Sequence, residues 1–298
     1  MKTSLDHLPE RHQENLAIIK ETIVNSVYPE MIILFGSYAR GDYVERAYTV
    51  EDGITYEYNS DYDILIVSEE RLAKTSLGMV KKRIAKKCLL TPTTIIEHNI
   101  GFLNEQIKHS NYFFVDVLKE GIMLYDTGNY QLAVPAMVAP PLKLAKAKEY
   151  FAYWMTKAEE FYDDFQSNLP KKRYSKAAFE LHQAVENAYN AFLLVFTDYK
   201  PKTHNLEELR RQAIQIHKDH IKVFTISNQE DEDRWELLLE AYIGARYKKD
   251  YTITAEELKY LGEQGVLLIE LVKSLSTERL NRIESDILEA KETELLKE

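Results

Sequence analysis

Met31-Ile-Ile-Leu-Phe-Gly-Ser-Tyr-Ala-Arg-Gly41 and Ser60-Asp-Tyr-Asp-Ile-Leu-Ile-Val67 decide the fold. Each couples an apolar run of strand length to chemistry at one end. In the first, Met31–Phe35 leads into a Gly36-Ser37 turn. Such a turn offers backbone N–H groups and a hydroxyl to phosphate oxygens, above all where a helix begins. In the second, Asp61 and Asp63 stand two apart at the head of a strand, so both carboxylates project from one face. Side by side they repel unless a cation lies between them, and oxygen-rich sites of this kind suit Mg²⁺ and a triphosphate.

Around these stretches, residues 1–138 read as an α/β domain. Leu16, Ile19, Ile23 and Val27 recur at helical spacing over Asn15–Val27, and Pro29 ends that helix before the first strand. Residues 42–60 form an insertion rich in Tyr and acid, in which 47–50 and 54–58 flank Glu51-Asp52-Gly53 as a β-hairpin. A helix over 71–88 follows the Asp-bearing strand. Thr93–Glu97 has β-branched strand character, and Tyr112–Leu118 reads as a helix before a short strand at Gly121–Tyr125.

After Pro135, Pro140 and Pro141 the texture becomes helical. Helices are expected over 143–168, 174–197, 205–219, 232–247 and 254–275, joined by short breaks, as in an up-and-down bundle occupying 139–275. The tail, 276–298, is charged and reads as an exposed helix or a frayed end.

Composition narrows the class. The chain carries 38 Lys and Arg against 48 Asp and Glu, a formal charge of −10, divided evenly between residues 1–140 and the rest. Neither half has the overall charge of a basic nucleic-acid module, and a local basic patch stays open. Cys88 is the single cysteine, which excludes an intramolecular disulfide and a Cys-based zinc cluster. The first nine residues lack an apolar signal core, and no apolar run approaches the ~18 residues that cross a membrane. The expected setting is reducing and cytoplasmic.

The order strand, Gly-Ser, strand with Asp-x-Asp resembles the nucleotidyltransferase superfamily, which includes polymerase-β-like enzymes, the minimal nucleotidyltransferases and the kanamycin nucleotidyltransferase. The Gly-to-Asp interval is longer than usual in that family, and the hairpin accounts for the excess. The resemblance implies that Gly36 and Ser37 hold phosphates, that Asp61 and Asp63 ligate Mg²⁺, and that an NTP, ATP being the expected one, donates a nucleoside monophosphate to a hydroxyl. A third acid belongs on the strand at 93–97. Thr94 occupies its position, and Glu97 is the only carboxylate on that stretch but has opposite strand parity. Glu97 is therefore either the third catalytic acid or a solvent-facing side chain. Arg40 is either a phosphate donor or an exposed loop arginine. Lys81-Lys-Arg83 with Lys86-Lys87 reads as a solvated helix face.

The series from Lys176 through His182 and Glu186 to Leu194, then Tyr199–Leu206, closing with Ala245-Arg246-Tyr247, resembles HEPN domains (higher eukaryotes and prokaryotes nucleotide-binding). His182 and Glu186 are i and i+4 on one helix face. They either bind nucleotide or acceptor together with Arg246, or only pack the bundle. His204 reads chiefly as a helix starter. Ribonucleolytic HEPN domains carry Arg, four to six residues, then His. Arg246 is followed by Tyr251 with no His in reach, and the position nucleotidylated in toxin forms is Ile253 here. The resemblance therefore implies a non-nucleolytic module that helps bind nucleotide or acceptor in a homodimer. The acceptor is open among a small molecule, a protein side chain and an RNA end. A catalytically inactive nucleotide sensor or interaction module is the alternative.

Overall fold

The structure, a computed structural model, describes every residue except 46, 52–53, 88–90, 137–138 and 296–298, and describes side chains outside 47–51, 54–58 and 291–295 as well. The expected hairpin turn at Asp52-Gly53 and the single Cys88 lie outside the described residues. The chain separates into two compact units, one of Met1–Tyr48 and Glu57–Val138, the other of Thr49–Tyr56 and Ala139–Glu298.

The first unit opens with α1 (Glu10–Val27), which buries Leu16, Ile19 and Ile23 and stops where Tyr28 turns left-handed before Pro29. Strand β1 (Met31–Phe35) and a single helical turn, α2 (Gly36–Arg40), follow. Strands β2 (Ala47–Glu51) and β3 (Ile54–Tyr58), most of which is assigned to the second unit, pair in a sheet of their own. Then come β4 (Tyr62–Ser68), α3 (Lys74–Ala85), β5 (Thr93–Asn99), α4 (Ile100–Lys108), α5 (Tyr112–Glu120) and β6 (Ile122–Asp126). The main sheet has the order β5-β4-β1-β6. β4 and β5 are parallel, while β1 is antiparallel to both β4 and β6.

Strand alternation sorts the side chains. Ile32, Leu34, Tyr62, Ile64, Ile66 and Ile95 turn to one face and pack with α1 and α3. Ile33, Phe35, Asp63, Leu65 and Thr94 have the opposite parity, on the side where Phe113 of α5 meets Phe35 edge-on at 5.3 Å. Helix α4 has no counterpart in the sequence reading. It begins at once after β5 because Asn99 Oδ1 accepts from Phe102 N at 2.7 Å, an N-cap that converts strand to helix without a loop.

The second unit contains α6 (Pro140–Asn168), α7 (Tyr174–Thr197), α8 (Leu206–Ile216), a 3₁₀ turn at Lys218–Lys222, α9 (Gln229–Ala241), α10 (Gly244–Tyr247) and α11 (Ala255–Leu295). The paired prolines begin α6 rather than precede it, as proline at a first helical turn forfeits no hydrogen bond. Helix α7 is the hub and is buried along almost its whole length, polar residues included. The expected helix over 232–247 is interrupted: α9 closes at Ala241 and α10 begins at Gly244. There a Cβ would lie 2.8 Å from the Tyr251 ring, so the close packing requires glycine. The helix expected to end at 275 continues to Leu295. Leu280 is buried with Leu144, Ala147 and Val195, and Lys148 pairs with Glu284 at 2.8 Å, which fastens the first part of the charged tail to α6 and α7. Among the described residues no helix is long and apolar enough to cross a membrane.

His220 is fully buried, its ring edge-on to Phe192 at 4.3 Å. Burial above all, then His217 and Arg210, lowers its pKa to about 3. His182, also fully buried, is lowered to about 3 by burial first and then by His204. Both rings stay neutral in the fold until about pH 3, whereas unfolded histidine protonates near 6.5. The unfolded chain therefore binds more protons across that window. Stability of this unit should fall below pH 6.5 by about 1.4 kcal/mol per pH unit for each ring. Trp154 and Trp235 both lie in this unit, so urea titrations followed by tryptophan fluorescence at pH 7 and pH 5 read it directly. His220→Leu should remove about half of the pH slope, and an unchanged slope would refute the assignment.

Candidate active site

Antiparallel register brings the two decisive stretches together. Phe35, the last residue of β1, stands opposite Asp63. Gly36 is thereby carried against the Asp63 carboxylate. It adopts φ +73°, and a Cβ there would lie 2.3 Å from Asp63 Oδ2. Glycine is required twice over, by backbone conformation and by space. Next to it, Ser37 Oγ is buried and has no hydrogen-bond partner among the described residues. The N–H groups that open α2 lack helical partners, as at any helix start.

Asp61 precedes β4 and Asp63 lies within it, and both are almost wholly buried. Parallel register sets Thr94 of β5 beside Asp63, and Thr94 Oγ1 donates to Asp61 Oδ2 at 2.8 Å. A hydrogen bond to a charged group of this kind contributes about 1.5–3 kcal/mol and fixes the carboxylate's orientation. The site thus contains two carboxylates, a hydroxyl that braces one of them, and a glycine-serine turn pressed on the other.

Glu97 does not join them. It pairs with Ile66, three residues beyond Asp63, roughly 10 Å further along the strand. Its parity turns it to the opposite face, and its Oε1 accepts from Ser68 Oγ at 2.9 Å and Leu72 N at 3.0 Å. Glu97 anchors the loop after β4, which corrects its assignment as the third catalytic acid. Arg40 is held by carboxylates, with Nε on Asp42 at 3.1 Å and Nη1 on Glu120 at 3.4 Å. On α3, Arg83 is exposed and donates to Ser26 of α1 at 2.9 Å. Among the described residues no group of three or more His, Cys, Asp or Glu side chains is arranged to hold a metal ion. Asp61 and Asp63 nevertheless fit Mg²⁺, which one or two carboxylates commonly bind with substrate phosphates completing the shell.

In the helical unit the structure gathers His182, Glu186 and Arg246 around a residue that linear reading missed, Tyr242. His204 does not start α8; Asn205 does, its side chain accepting from Glu207 N and Glu208 N. His204 instead reaches back to α7, its Nδ1 lying 3.0 and 3.1 Å from the two oxygens of buried Glu186. Its ring stacks on Tyr242 at 4.4 Å. Arg246 lies over the same tyrosine, 4.3 Å from the centroid, its Nε donating to the Tyr242 carbonyl. His182 packs beneath at 5.3 Å from Tyr242. Tyr242 was findable, because it stands four residues before Arg246 on a helical stretch. The approach of His204 is tertiary and leaves no sequence signal. Tyr251 is buried, with its hydroxyl on the Leu237 carbonyl at 3.0 Å.

Comparison with known families agrees with both halves. The family described as polymerase beta, nucleotidyltransferase matches residues 18–129, and the HEPN domain matches residues 151–275. The chain joins a polymerase-β-family nucleotidyltransferase domain to a HEPN domain. No curated protein matches it. Among solved structures, a nucleotidyltransferase-like protein from Exiguobacterium sibiricum is similar at 14% identity, over 88% of this chain and 78% of that one, with a TM-score of 0.24.

Gly36→Ala should destabilise the nucleotidyltransferase domain by more than Gly128→Ala. Gly128 shares a positive φ, +76°, but a Cβ there would meet nothing within 4 Å. The Gly128 variant isolates the backbone penalty of about 1 kcal/mol or more, and the excess at Gly36 measures the collision with Asp63. Thermal unfolding of the two variants checks this, and equal losses would contradict the close packing.

Proposed function

We propose that the protein moves a nucleoside monophosphate from an NTP, ATP being the expected donor, to an acceptor hydroxyl. One observation carries the reading: the Asp63 carboxylate lies directly on the Gly36-Ser37 turn. A phosphate anchored by that turn would therefore adjoin the Asp61–Asp63 pair. The buried Ser37 hydroxyl and the N–H groups of the turn take phosphate oxygens. Asp61 and Asp63 hold Mg²⁺, with Asp61 kept in place by Thr94. When bound, the ion offsets negative charge on the phosphates. The acceptor oxygen bonds to the α-phosphorus, the bond from that phosphorus to the bridging oxygen breaks, pyrophosphate leaves, and the hydroxyl proton passes to solvent water. The acceptor is a small molecule, a protein side chain or an RNA end.

We assign the HEPN domain a supporting role in binding nucleotide or acceptor, in a cytoplasmic homodimer. Arg246, His182 and Glu186 belong to one cluster there, with His204 as the accessible imidazole and Tyr242 as its aromatic platform. The domain does not cleave RNA on this reading. His182 is sealed and neutral, and the position after Arg246 that would carry the acid/base histidine is occupied by core Tyr251. A second reading, a nucleotide sensor without transfer chemistry, is favoured by the commitment of Glu97 to Ser68 and Leu72.

Calorimetry with ATP, GTP, CTP and UTP should show Mg²⁺-dependent binding of at least one. The Asp61→Asn, Asp63→Asn double variant should lose about tenfold or more in affinity, equivalent to about 1.4 kcal/mol or more. Unchanged affinity would remove the metal site. Incubation with each labelled NTP and cell extract separates the readings, since label transferred to any molecule excludes the pure sensor.

Single-stranded and structured RNA should survive incubation with the pure protein. Cleavage that disappears in both Arg246→Ala and His204→Ala would instead show that the Tyr242 cluster is a nuclease centre.

A further inference from the structure

Helix α6 carries a surface stripe that the proposed chemistry leaves unused. Lys146, Tyr150, Tyr153, Trp154 and Lys157 stand at i, i+4, i+7, i+8 and i+11, so they share one side of the helix. Met155 and Ala158 turn into the core instead. Residues 143–157 hold four lysines and one glutamate, in a chain whose formal charge is −10. The positive face is thus a local feature set against the overall balance. None of these residues belongs to the Tyr242 cluster, and Lys146 and Tyr150 precede the stretch matched by the HEPN domain.

Lysines and aromatic rings interleave along the stripe. The Lys146 ammonium lies over the Tyr150 ring, 5.4 Å from its centroid, and Lys157 over Tyr153 at 5.1 Å. From the segment after α7, Lys200 lies over Trp154 at 4.9 Å. Tyr153 and Trp154 meet edge to face at 5.2 Å, and Tyr153 is 54% exposed. Lys146 is shared with Asp198 at 2.9 Å, whereas among the described residues no carboxylate pairs with Lys157 or Lys200.

We propose that this face of α6 binds single-stranded RNA. Such binding stands whether or not the transfer chemistry does, and together with it would select an RNA end as the acceptor. A single strand presents phosphates and unstacked bases in alternation, and a face that interleaves cations with aromatic rings answers both. From Lys146 to Lys157 the stripe runs roughly 16 Å along the helix axis, the span of a few nucleotides. An exposed contact between a lysine and a ring is weak, while a base stacked on a ring is held more strongly. A base therefore takes the ring face from the lysine and leaves the ammonium beside the strand's phosphate. RNA adds a 2′-hydroxyl, both donor and acceptor, for the hydroxyls of Tyr150 and Tyr153. A membrane surface asks for another arrangement, with cations on one face of a helix and apolar side chains on the other. Here both types lie on one stripe, and the opposite face is core.

Fluorescence anisotropy of a labelled, unstructured oligoribonucleotide tests this on the full chain, without NTP. Wild type should bind, with log K falling against log salt at a slope of about −2 for three lysine contacts. Lys157→Gln and Lys200→Gln should each flatten that slope by about 0.7. Tyr153→Ala should weaken binding about tenfold. Stacking should also quench Trp154 fluorescence, a signal that Trp154→Phe removes. The two lysine variants leave every ring in place and decide the matter where a ring variant fails to fold. Absence of RNA binding by wild type at low salt overturns the proposal. So does undiminished binding in all four variants, which would place RNA elsewhere on the chain. Equal affinity for the matching oligodeoxyribonucleotide would overturn the choice of RNA. Capture by phosphatidylserine vesicles without RNA binding would make the stripe a membrane surface. None of these failures touches the Asp61–Asp63 reading, because no nucleoside triphosphate enters the assay.

Discussion

The pairing of Phe35 with Asp63 is the constraint on which the nucleotidyltransferase site depends. It fixes the end of one strand against the carboxylate of its neighbour, so the turn that follows must be glycine. A slip of one residue would turn Asp63 to the α1 face and Tyr62 to the other. That slip would bury a charge among Leu16, Ile19 and Ile23 and expel an aromatic ring from the core. The register is therefore enforced by hydrophobic burial on the side away from the chemistry. Stability and function share one backbone decision here, and the Asp pair requires no loop to position it.

The HEPN domain solves a different problem. Helix α7 passes through the middle of its unit with Glu180, His182, Glu186, Asn187 and Asn190 all buried. Polar groups at such positions cost stability unless satisfied. Glu186 meets that demand with His204 and with Gln183 Nε2 at 3.3 Å, so a buried carboxylate orients a half-exposed imidazole. Arg246 then covers Tyr242 from the short helix after the α9 break. Two residues before Arg246, Gly244 lets the Tyr251 ring approach the short helix closely.

Much of this was legible beforehand, for physical reasons that differ by element. The strands at 31–35 and 62–68 announced themselves by apolar runs ending in Gly-Ser and Asp-x-Asp, and α1 by Leu16, Ile19 and Ile23. Helix α4 went unread because a one-residue cap, Asn99, is all that separates it from β5. The tail was underestimated because its many charged residues masked a short helical stripe, Leu280, Ile283 and Ile287, that packs against Leu144, Ala147 and Val195. At the site, strand parity already set Glu97 against Thr94, and the structure shows that parity decides. Tyr242 and His204 come together through tertiary packing, which no spacing rule encodes.

Thr94 in the third position changes the charge balance of the site. Two buried carboxylates on one face of a strand repel one another while both are charged. A third would raise that cost and call for more than one divalent cation. With a hydroxyl there instead, the pair supplies at most two negative charges, the complement of a single Mg²⁺. Thr94 also donates to Asp61, which stabilises the charged form that a cation requires. The arrangement is therefore suited to holding one ion with a nucleotide and poorly suited to removing the acceptor's proton. On the transfer reading, that proton must leave to a group outside the Asp pair. The requirement shifts specificity from the nucleotide to the acceptor, since only a hydroxyl that arrives with its own base, or close to one, can react. On that reading, a transferase built on this site would draw its selectivity chiefly from the acceptor.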